Sequence, residues 1–371
     1  MMRAGALRAQ GSVVGIAPEF ENCRKGYSVK ILVTGGCGFI GSNFVRYALA
    51  EHPNDELVNV DALTYAGNLA NLADLSGNPR LTFVKDDIAS PEAMNALFEK
   101  HRFTAVVNFA AESHVDRSLH VGASVFIQTN ISGVQVLLDA SLKYGVKRYL
   151  QISTDEIYGS LGPNGAFTEA SPIQPNNPYA ATKAGADMLV RAAHQSHGLD
   201  TVITRCSNNF GPYQFPEKLI PLMIMNALEN KELPVYGDGM QVRDWIYVLD
   251  HCSAIDLVLR MGVSGEVYNI GGSHDVPNLE IVRQILKILG KPDSLMRHVK
   301  DRPGHDRRYA MDSARIRREL GWKPAYSFER AMRVTVDWYL KNQPWLAHIR
   351  SGEYMKYYDT LYKDRLAGFS K

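Results

Sequence analysis

The chain has 371 residues, of which 45% are hydrophobic and 22% are charged, values typical of a globular protein. Its length exceeds that of most single domains, so we expect one large domain or two closely joined ones. Basic and acidic residues nearly balance, at 41 against 39, and no long block of like charge occurs. This balance argues against a nucleic-acid or membrane-surface role. No apolar run approaches the roughly 18–20 residues that a membrane span needs.

Four cysteines are scattered along the chain, at Cys23, Cys37, Cys206 and Cys252. They form no CxxC pair, and no histidine cluster has the spacing of metal ligands. We therefore predict reduced thiols that pack inside a cytoplasmic protein, and no metal site.

Residues 1–28 differ in composition from the rest, because they are rich in Gly, Ala and Arg. Their one apolar stretch, 13–17, is too short for the core of a signal peptide. We expect a disordered tail or an overlong start, with a weak organelle-targeting segment as the alternative.

From residue 30, short apolar runs alternate with helical stretches, a pattern typical of parallel βαβ units. Strands are predicted at 30–34, 56–60, 81–85, 105–109, 148–153 and 200–205. Helices are predicted at 39–50, 91–100, 121–144 and 178–197. The pattern predicts an α/β fold, with a Rossmann-like, doubly wound parallel sheet.

After about Asn209 this regularity breaks, and glycine and proline punctuate the sequence. A strand at 245–248 and a helix at 250–261 are predicted to return to the first domain. Helices at 279–289 and 328–341 are assigned to a smaller C-terminal domain that closes the substrate side of the cleft. The predicted plan is a dinucleotide-binding domain at 29–210 with 245–272, a substrate-binding domain at 211–244 and 273–345, and a C-terminal segment at 346–371.

A glycine-rich turn joins the first predicted strand to the first helix. Gly35 permits the tight turn, Gly38 lets the backbone approach a pyrophosphate, and Gly41 allows close packing of helix on strand. The N-terminus of the helix then offers free N–H groups to the phosphates. Because a strand precedes the turn and an amphipathic helix follows it, the motif predicts dinucleotide binding.

Two acidic positions refine this prediction. Asp61 ends the second strand, where a carboxylate would hydrogen-bond both ribose hydroxyls and repel a 2′-phosphate, so NAD is favoured over NADP. The alternative is an aspartate that only forms a turn. Asp87 and Ile88, after the third strand, could bracket the adenine, although an isolated Asp-Ile pair is weak evidence.

Tyr179 and Lys183 lie one helical turn apart on the helix predicted at 178–197. The unperturbed pKa of tyrosine is about 10, so Tyr179 needs help to act as a base. The charge of Lys183 and that of an oxidised nicotinamide would both favour the phenolate. A surface Tyr and Lys would be the default reading of YxxxK alone, but with the glycine turn upstream the pair is interpreted as catalytic.

The triplet Thr154-Asp155-Glu156 directly follows the apolar strand at 148–153. Carboxyl ends of parallel strands face the cleft, so these side chains can meet a substrate. Two carboxyls with different pKa values can divide the roles of acid and base. In isolation an Asp-Glu pair here is more often a helix cap, but the surrounding motifs favour chemistry.

The residues from about 30 to 322 resemble the extended short-chain dehydrogenase/reductase superfamily, and within it the family of dTDP-glucose 4,6-dehydratases. The matching strings are AAESHVDRS at 110–118, the Thr-Asp-Glu triplet, RCSNNFGPY at 205–213, FPEKLIP at 215–221, QVRDW at 241–245 and DRPGHDRRY at 301–309. The triplet separates relatives, because 4-epimerases of the family lack the acid–base pair and GDP-mannose 4,6-dehydratases typically carry Thr-Ser-Glu. Two departures are the tail before residue 30 and one extra residue near 120–124, which leaves the start of the helix there open.

The resemblance implies a set of site residues. Cofactor contacts are implied for Phe39, Ile40, Asp61, Ala62, Leu63, Thr64, Asp87, Ile88, Ala110, Ala111, Ser113, Thr129, Tyr179, Lys183 and Asn209, beside the three glycines. Substrate contacts are implied for Ser113, Thr154, Asn208, Lys218, Leu219, Pro234, Tyr236, Arg243, Asn278, Arg302 and His305. Arg243 and Arg302 also make chemical sense, since guanidinium forks suit a pyrophosphate.

The implied reaction converts dTDP-glucose to its 4-keto-6-deoxy product in three stages. Tyr179 removes the O4 proton as hydride passes from C4 to NAD, and Thr154 bonds the 4-oxygen. Glu156 then takes the C5 proton and Asp155 protonates the departing C6 hydroxyl, before hydride returns to C6. A homodimer built on helices 121–144 and 178–197 is the family expectation.

Rival interpretations remain open from the sequence. A UDP-glucose 4,6-dehydratase is the runner-up, because the pocket for the base cannot be read from the sequence. A nucleotide-sugar 4-epimerase would leave Asp155 and Glu156 without a task. A NAD-sensing regulator or scaffold without chemistry would not need the intact Tyr179 and Lys183 pair.

Overall fold

The computed structural model describes residues 29–120, 122–301 and 305–350, except for the side chains of Asp116, His120 and Arg350. The predicted tail at 1–28, Arg302 and most of the segment 346–371 lie outside these residues.

A seven-stranded sheet forms the centre of the molecule, and every neighbouring pair in it is parallel. Its strands are β1 (Lys30–Thr34), β2 (Glu56–Asp61), β3 (Leu81–Lys85), β4 (Ala105–Asn108), β5 (Arg148–Thr154), β6 (Thr201–Cys206) and β10 (Val267–Ile270). Their order is β10-β6-β5-β4-β1-β2-β3. The order in which the strands are added changes direction between β1 and β4. This is the switch point at which such sheets bind ligands. The predicted α/β class and doubly wound sheet are confirmed.

Apolar residues on both faces of the strands build two cores. Ile31 and Val33 of β1 pack on one side, and Leu32 packs on the other. All of β4 and β5 is buried, as expected for central parallel strands covered by helices. The covering helices are Phe39–Glu51, Pro91–His101, Val134–Tyr144, Pro178–His197 and Val248–Met261.

Capping residues fix the ends of the helix Pro178–His197, which has its predicted bounds. The Asn177 side chain accepts a hydrogen bond from the Ala180 N–H, and Pro178 occupies the first helical position. At the other end Gly198, with φ of 69°, terminates the helix in the left-handed conformation.

The helix predicted at 121–144 is interrupted. A short helix, Val115–His120, precedes it; the second begins at Ser124 and contains a π-helical turn, Gln128–Gly133, before Val134–Tyr144. Within that turn the Asn130 amide hydrogen-bonds the backbone of Glu112 and the hydroxyl of Thr182. The turn carries Thr129 to the cleft, and hydrophobic periodicity gives no sign of such a local insertion.

The strand predicted at 245–248 lies outside the central sheet. It is β9 (Val242–Tyr247), and it pairs with β7 (Asn208–Phe210) and β11 (Asp275–Pro277). The strand that returns to the central sheet is β10, beside β6. An apolar run indicates a buried strand but does not specify its partner. The following helix, Val248–Met261, does pack against Phe39–Glu51.

The remaining elements lie in the second half of the chain. β8 (Leu233–Tyr236) and β12 (Met296–Val299) form a two-stranded parallel sheet. The accompanying helices are Leu219–Leu228, Asn278–Leu289, Ala314–Leu320, Phe328–Lys341 and Gln343–Arg350. Within the described part of the chain, no helix has the length and apolar character of a membrane span.

Candidate active site

One large cleft opens where β1, β4, β5 and β6 end, at the switch point of the sheet. The glycine turn and the end of β2 form one side of it. The Thr154–Glu156 triplet and Tyr179 form its floor, and residues 206–218 close the opposite wall. The two motifs that are distant in sequence therefore line one cleft.

The backbone of the glycine turn packs so closely against neighbouring backbone atoms that Gly35 and Gly41 leave no space for a side chain. Gly35 has φ of +68°, and a Cβ there would lie 2.7 Å from the Ala110 backbone nitrogen. At Gly41 a Cβ would lie 2.4 Å from the carbonyl oxygen of Gly35. No side chain of the described residues caps the helix that begins at Phe39, so its first N–H groups remain for an anion in the cleft.

Asp61 is held in place at the end of β2. Its carboxylate accepts hydrogen bonds from the backbone N–H of Cys37, at 2.9 Å, and of Leu63, at 2.8 Å. Burial raises the pKa of Asp61, and these two bonds lower it in part. Each oxygen keeps a second lone pair, so the carboxylate can still accept a bond from a hydroxyl in the cleft.

Most residues predicted to contact a dinucleotide line this cleft. They are Gly35, Gly38, Phe39, Ile40, Gly41, Asp61, Ala62, Thr64, Asp87, Ile88, Ala110, Ala111, Ser113, Thr129, Tyr179, Lys183 and Asn209. Leu63 does not line it and contributes its backbone N–H to Asp61 instead. Asp87 is exposed at the rim, whereas Ile88 beside it is buried.

Asp155 follows β5 and is buried. The Thr154 hydroxyl lies 3.3 Å from one of its carboxyl oxygens, and the other has no hydrogen-bond partner among the described residues. Burial raises the pKa of Asp155 well above its usual value, and the negative charges of Glu156 and Asp244 raise it further. Asp155 is therefore placed to hold a proton that it can donate to a ligand.

Glu156 is half-buried and lies in a different environment from Asp155. Its backbone N–H donates to the Thr154 hydroxyl at 3.2 Å, which caps the 3-10 turn Asp155–Tyr158. Its Oε2 accepts a hydrogen bond from the Asn177 amide at 3.1 Å. The carboxylate is thus oriented at the edge of the cleft.

Tyr179 and Lys183 are both buried at the floor of the cleft. The Lys183 ammonium donates to the carbonyl oxygen of Ile152 at 2.6 Å. Burial, followed by the charge of Glu156, raises the pKa of Tyr179 well above its usual value, and a hydrogen bond with Thr154 lowers it in part. The chain alone thus keeps Tyr179 as a phenol. Desolvation and the neighbouring carboxyl oppose the phenolate that the sequence predicts.

The predicted substrate residues fall into two groups. Ser113, Thr154, Asn208 and Lys218 line the cleft, and the Lys218 ammonium lies 3.4 Å from the carbonyl oxygen of Ser113. Leu219, Pro234, Tyr236, Arg243, Asn278 and His305 do not line it. Arg302 lies outside the described residues.

Part of the second group gathers around residues 305–309. Tyr236 meets the His305 ring edge-on, with centroids 6.2 Å apart. The Arg243 guanidinium donates to the carbonyl oxygen of Asp306 at 2.9 Å and covers the Tyr309 ring at 4.4 Å. The charge of Arg243 lowers the pKa of Asp155, and the charge of Glu156 raises that of Tyr309. This group therefore borders the two carboxyls.

Several polar residues of the cleft were missed by the sequence reading. Tyr65, Glu112 and Glu217 line it, and burial raises the pKa of Glu217 to about 7. Glu112 and Glu217 lie within the matched strings, but nothing in their spacing predicts their burial. Among the described residues, no group of three or more His, Cys, Asp or Glu side chains could hold a metal ion.

Comparison with known proteins identifies close relatives. The family described as GDP-mannose 4,6 dehydratase matches residues 32–335. A dTDP-glucose 4,6-dehydratase of Xanthomonas campestris pv. campestris is 52% identical, over 87% of this chain and 96% of the relative.

Solved structures give the same result. DesIV, a dTDP-glucose 4,6-dehydratase of Streptomyces venezuelae crystallised with NAD and TYD, has a TM-score of 0.83 at 50% identity, covering 85% of this chain and 98% of its own. A UDP-glucose 4-epimerase of Thermotoga maritima, solved with UDP-glucose, has a TM-score of 0.79 at 30% identity, covering 85% and 100%. The chain therefore belongs to the GDP-mannose 4,6 dehydratase family and, within it, to the group of dTDP-glucose 4,6-dehydratases.

Proposed function

We propose that this chain is a lyase that dehydrates dTDP-glucose to dTDP-4-dehydro-6-deoxyglucose, with NAD as its bound hydride carrier. The observation that carries the proposal is the arrangement at the end of β5. Tyr179, Thr154, Asp155 and Glu156 border one cleft, and the same cleft contains the glycine turn. A redox enzyme without elimination would not need the two carboxyls.

The residues around the glycine turn fit NAD. The backbone of Gly35–Gly41 leaves room for a pyrophosphate, and Asp61 offers a carboxylate to the ribose hydroxyls while it disfavours a 2′-phosphate. When bound, NAD would accept a hydride from C4 of the sugar and return it to C6.

Three residues manage the proton on O4. The Thr154 hydroxyl and the Tyr179 phenol would both bond this oxygen, and Tyr179 would remove its proton. Because burial and Glu156 raise the pKa of Tyr179, the phenolate needs a positive charge in the cleft to form. Lys183, fixed on the Ile152 carbonyl, supplies one such charge from the protein.

Asp155 and Glu156 divide the elimination between them. A ketone at C4 makes the C5 proton acidic, and Glu156 removes that proton. Asp155, whose pKa is raised, stays protonated and gives its proton to the departing C6 hydroxyl. Return of the hydride to C6 would leave an enolate, and Glu156 would give a proton back to C5. Proton transfer by such positioned groups is worth about 10²- to 10⁴-fold each.

The nucleotide would extend from the cleft toward residues 305–309. Arg243 and Arg302 would bind the diphosphate, with Asn208, Lys218 and Leu219 along the way. Pro234, Tyr236, Asn278 and His305 would contact the nucleoside. The side-chain oxygen of Asn278 is buried without a partner among the described residues, which suits a donor on the ligand.

Product analysis tests the proposal. Purified protein supplied with NAD should convert dTDP-glucose faster than UDP-glucose to a 4-keto-6-deoxy sugar, detected by NMR. A C4 epimer as the product would favour the epimerase alternative, and a preference for UDP-glucose would favour the runner-up. No conversion of either nucleotide sugar would contradict the proposal.

The finer organisation is proposed on separate grounds. Residues 29–210 with 245–272 would form the NAD-binding domain and residues 211–244 with 273–345 the nucleotide-sugar domain, because β10 joins the central sheet while β8 and β12 form their own. A homodimer is supported by exposed apolar side chains on the helices predicted to pair. These are Val125, Ile127 and Met188. Sedimentation should give twice the chain mass.

Free thiols at Cys37, Cys206 and Cys252 suit a reducing cytoplasm.

A further inference from the structure

We infer that Asn177 is a positioning residue for the elimination step, because its amide ties the carboxylate of Glu156 to the start of the helix that carries Tyr179. The inference rests on the proposed dehydratase function and names a residue that neither the matched motifs nor the predicted site contains. The juxtaposition is local in space but spans 21 residues of sequence.

The two ends of the Asn177 amide have different partners. Its oxygen accepts a hydrogen bond from the Ala180 N–H at 2.8 Å, which caps the helix Pro178–His197. Its nitrogen donates to Oε2 of Glu156 at 3.1 Å. An amide oxygen only accepts and an amide nitrogen only donates, so the cap fixes which end faces Glu156.

This contact constrains Glu156 in two ways. It fixes Oε2, while Oε1 has no hydrogen bond among the described residues, and Glu156 lines the cleft. A hydrogen bond donated to a carboxylate also stabilises its charged form, which is the form that can remove a proton. Both effects serve the abstraction of the C5 proton.

Asn177 also connects the two elements whose side chains act at different steps of the reaction. The Thr154 hydroxyl caps the turn that holds Glu156, and Asn177 caps the helix that holds Tyr179. The amide bond joins these two capped elements. Asn177 thereby links the group that acts at C5 to the element that acts at O4.

Variants at this position separate the cap from the link. Asn177→Ser and Asn177→Asp both retain a strong capping acceptor, but neither can donate an amide N–H to Glu156. Asn177→Asp also places a second negative charge beside Glu156. Ser327→Ala is the matched control, because it removes the cap of the helix Phe328–Lys341, which does not line the cleft.

Isotope effects on single steps provide the readout. With dTDP-[5-²H]glucose, Asn177→Ser and Asn177→Asp should show dehydration slowed by about 10- to 100-fold and a larger isotope effect than the wild type, since proton abstraction becomes limiting. With dTDP-[4-²H]glucose, formation of enzyme-bound NADH in the first turnover should stay close to wild type. Ser327→Ala should change neither step.

Two results would overturn the inference. One is a wild-type C5 isotope effect in both variants. The other is an equal loss of C4 oxidation and dehydration, which would assign Asn177 only a capping role. Absence of any keto-deoxy product from the wild-type protein would instead refute the dehydratase function, so the two failures are distinguishable.

Discussion

Asp155 and Glu156 are adjacent in sequence, yet their surroundings differ enough to give them different tasks. Asp155 is buried beside Glu156 and Asp244, and burial followed by these charges raises its pKa. Glu156 is half-buried and is held by Asn177. The sequence predicts the pair from its place after a strand, but it could not predict the Asn177 contact, because only the folded loop brings residues 156 and 177 together.

Removing one group at a time should stop the reaction at different stages. Tyr179→Phe should abolish the first oxidation, because no group then takes the O4 proton. Glu156→Gln should still oxidise C4 and accumulate bound NADH, with dehydration slowed by about 10²- to 10⁴-fold. Rapid-scan absorbance at 340 nm separates the two. Normal NADH formation in Tyr179→Phe, or full turnover in Glu156→Gln, would contradict these roles.

The donor role of Asp155 predicts the alkaline side of the pH profile. The protonated carboxyl is the active form and its pKa is raised, so dehydration should fall as pH rises through that pKa. Asp244→Asn removes a negative neighbour, lowers the pKa of Asp155 and should move the alkaline limb to lower pH. A limb that stays in place, measured by the rate of keto-sugar formation, would argue against this coupling.

Glu217 makes the stability of the protein depend on pH. Burial raises its pKa from 4.5 to about 7, while Lys218 and Arg117 lower it in part. A raised carboxyl pKa contributes stability below about pH 4.5 that is lost as pH rises through 7. Glu217→Gln should therefore be more stable than wild type at pH 8, by on the order of 3 kcal/mol, and nearly equal at pH 4.5. Equal unfolding free energies at pH 8 would refute the burial argument.

At the scale of elements, the turn between β1 and the helix Phe39–Glu51 is tightly constrained by packing. A Cβ at Gly41 would meet the Gly35 carbonyl and the Gly36 Cα, both rigid backbone atoms. Gly41→Ala should push the helix away from the strand and weaken NAD binding at least tenfold. It should lower the free energy of unfolding by on the order of 1–3 kcal/mol and Tm by several degrees. Gly162→Ala, where a Cβ meets open space, is the control. Unchanged NAD affinity by calorimetry in Gly41→Ala would contradict this account.

Element identity followed from periodicity and caps, whereas pairing did not. The helix Phe328–Lys341 has its predicted bounds, and the Ser327 side chain caps its start. The strand at Val242–Tyr247 pairs with β7 and β11, and its apolar pattern does not specify this pairing. The π-turn at Gln128–Gly133 depends on the Asn130 contacts, which no local signal reveals.

At the scale of the whole molecule, two sets of residues meet near the cleft. The central sheet presents the glycine turn and the triplet at its switch point, while the second group around residues 305–309 borders the carboxyls. The sequence predicts that the glycine turn and the triplet meet at this edge, because strand ends converge in this fold. It placed the second group only by resemblance, since residues beyond the strand ends follow no simple geometric rule.

The central claim is that the phenol and the two carboxyls act in turn on one bound hexose. Incubation of the protein with dTDP-[4-²H]glucose and unlabelled NAD tests it most directly. The account predicts that deuterium appears at C6 of the keto-deoxy product, because the hydride stays within one active site throughout the cycle. Deuterium released to free NADH or to water, or retained at C4 of an epimer, would contradict it.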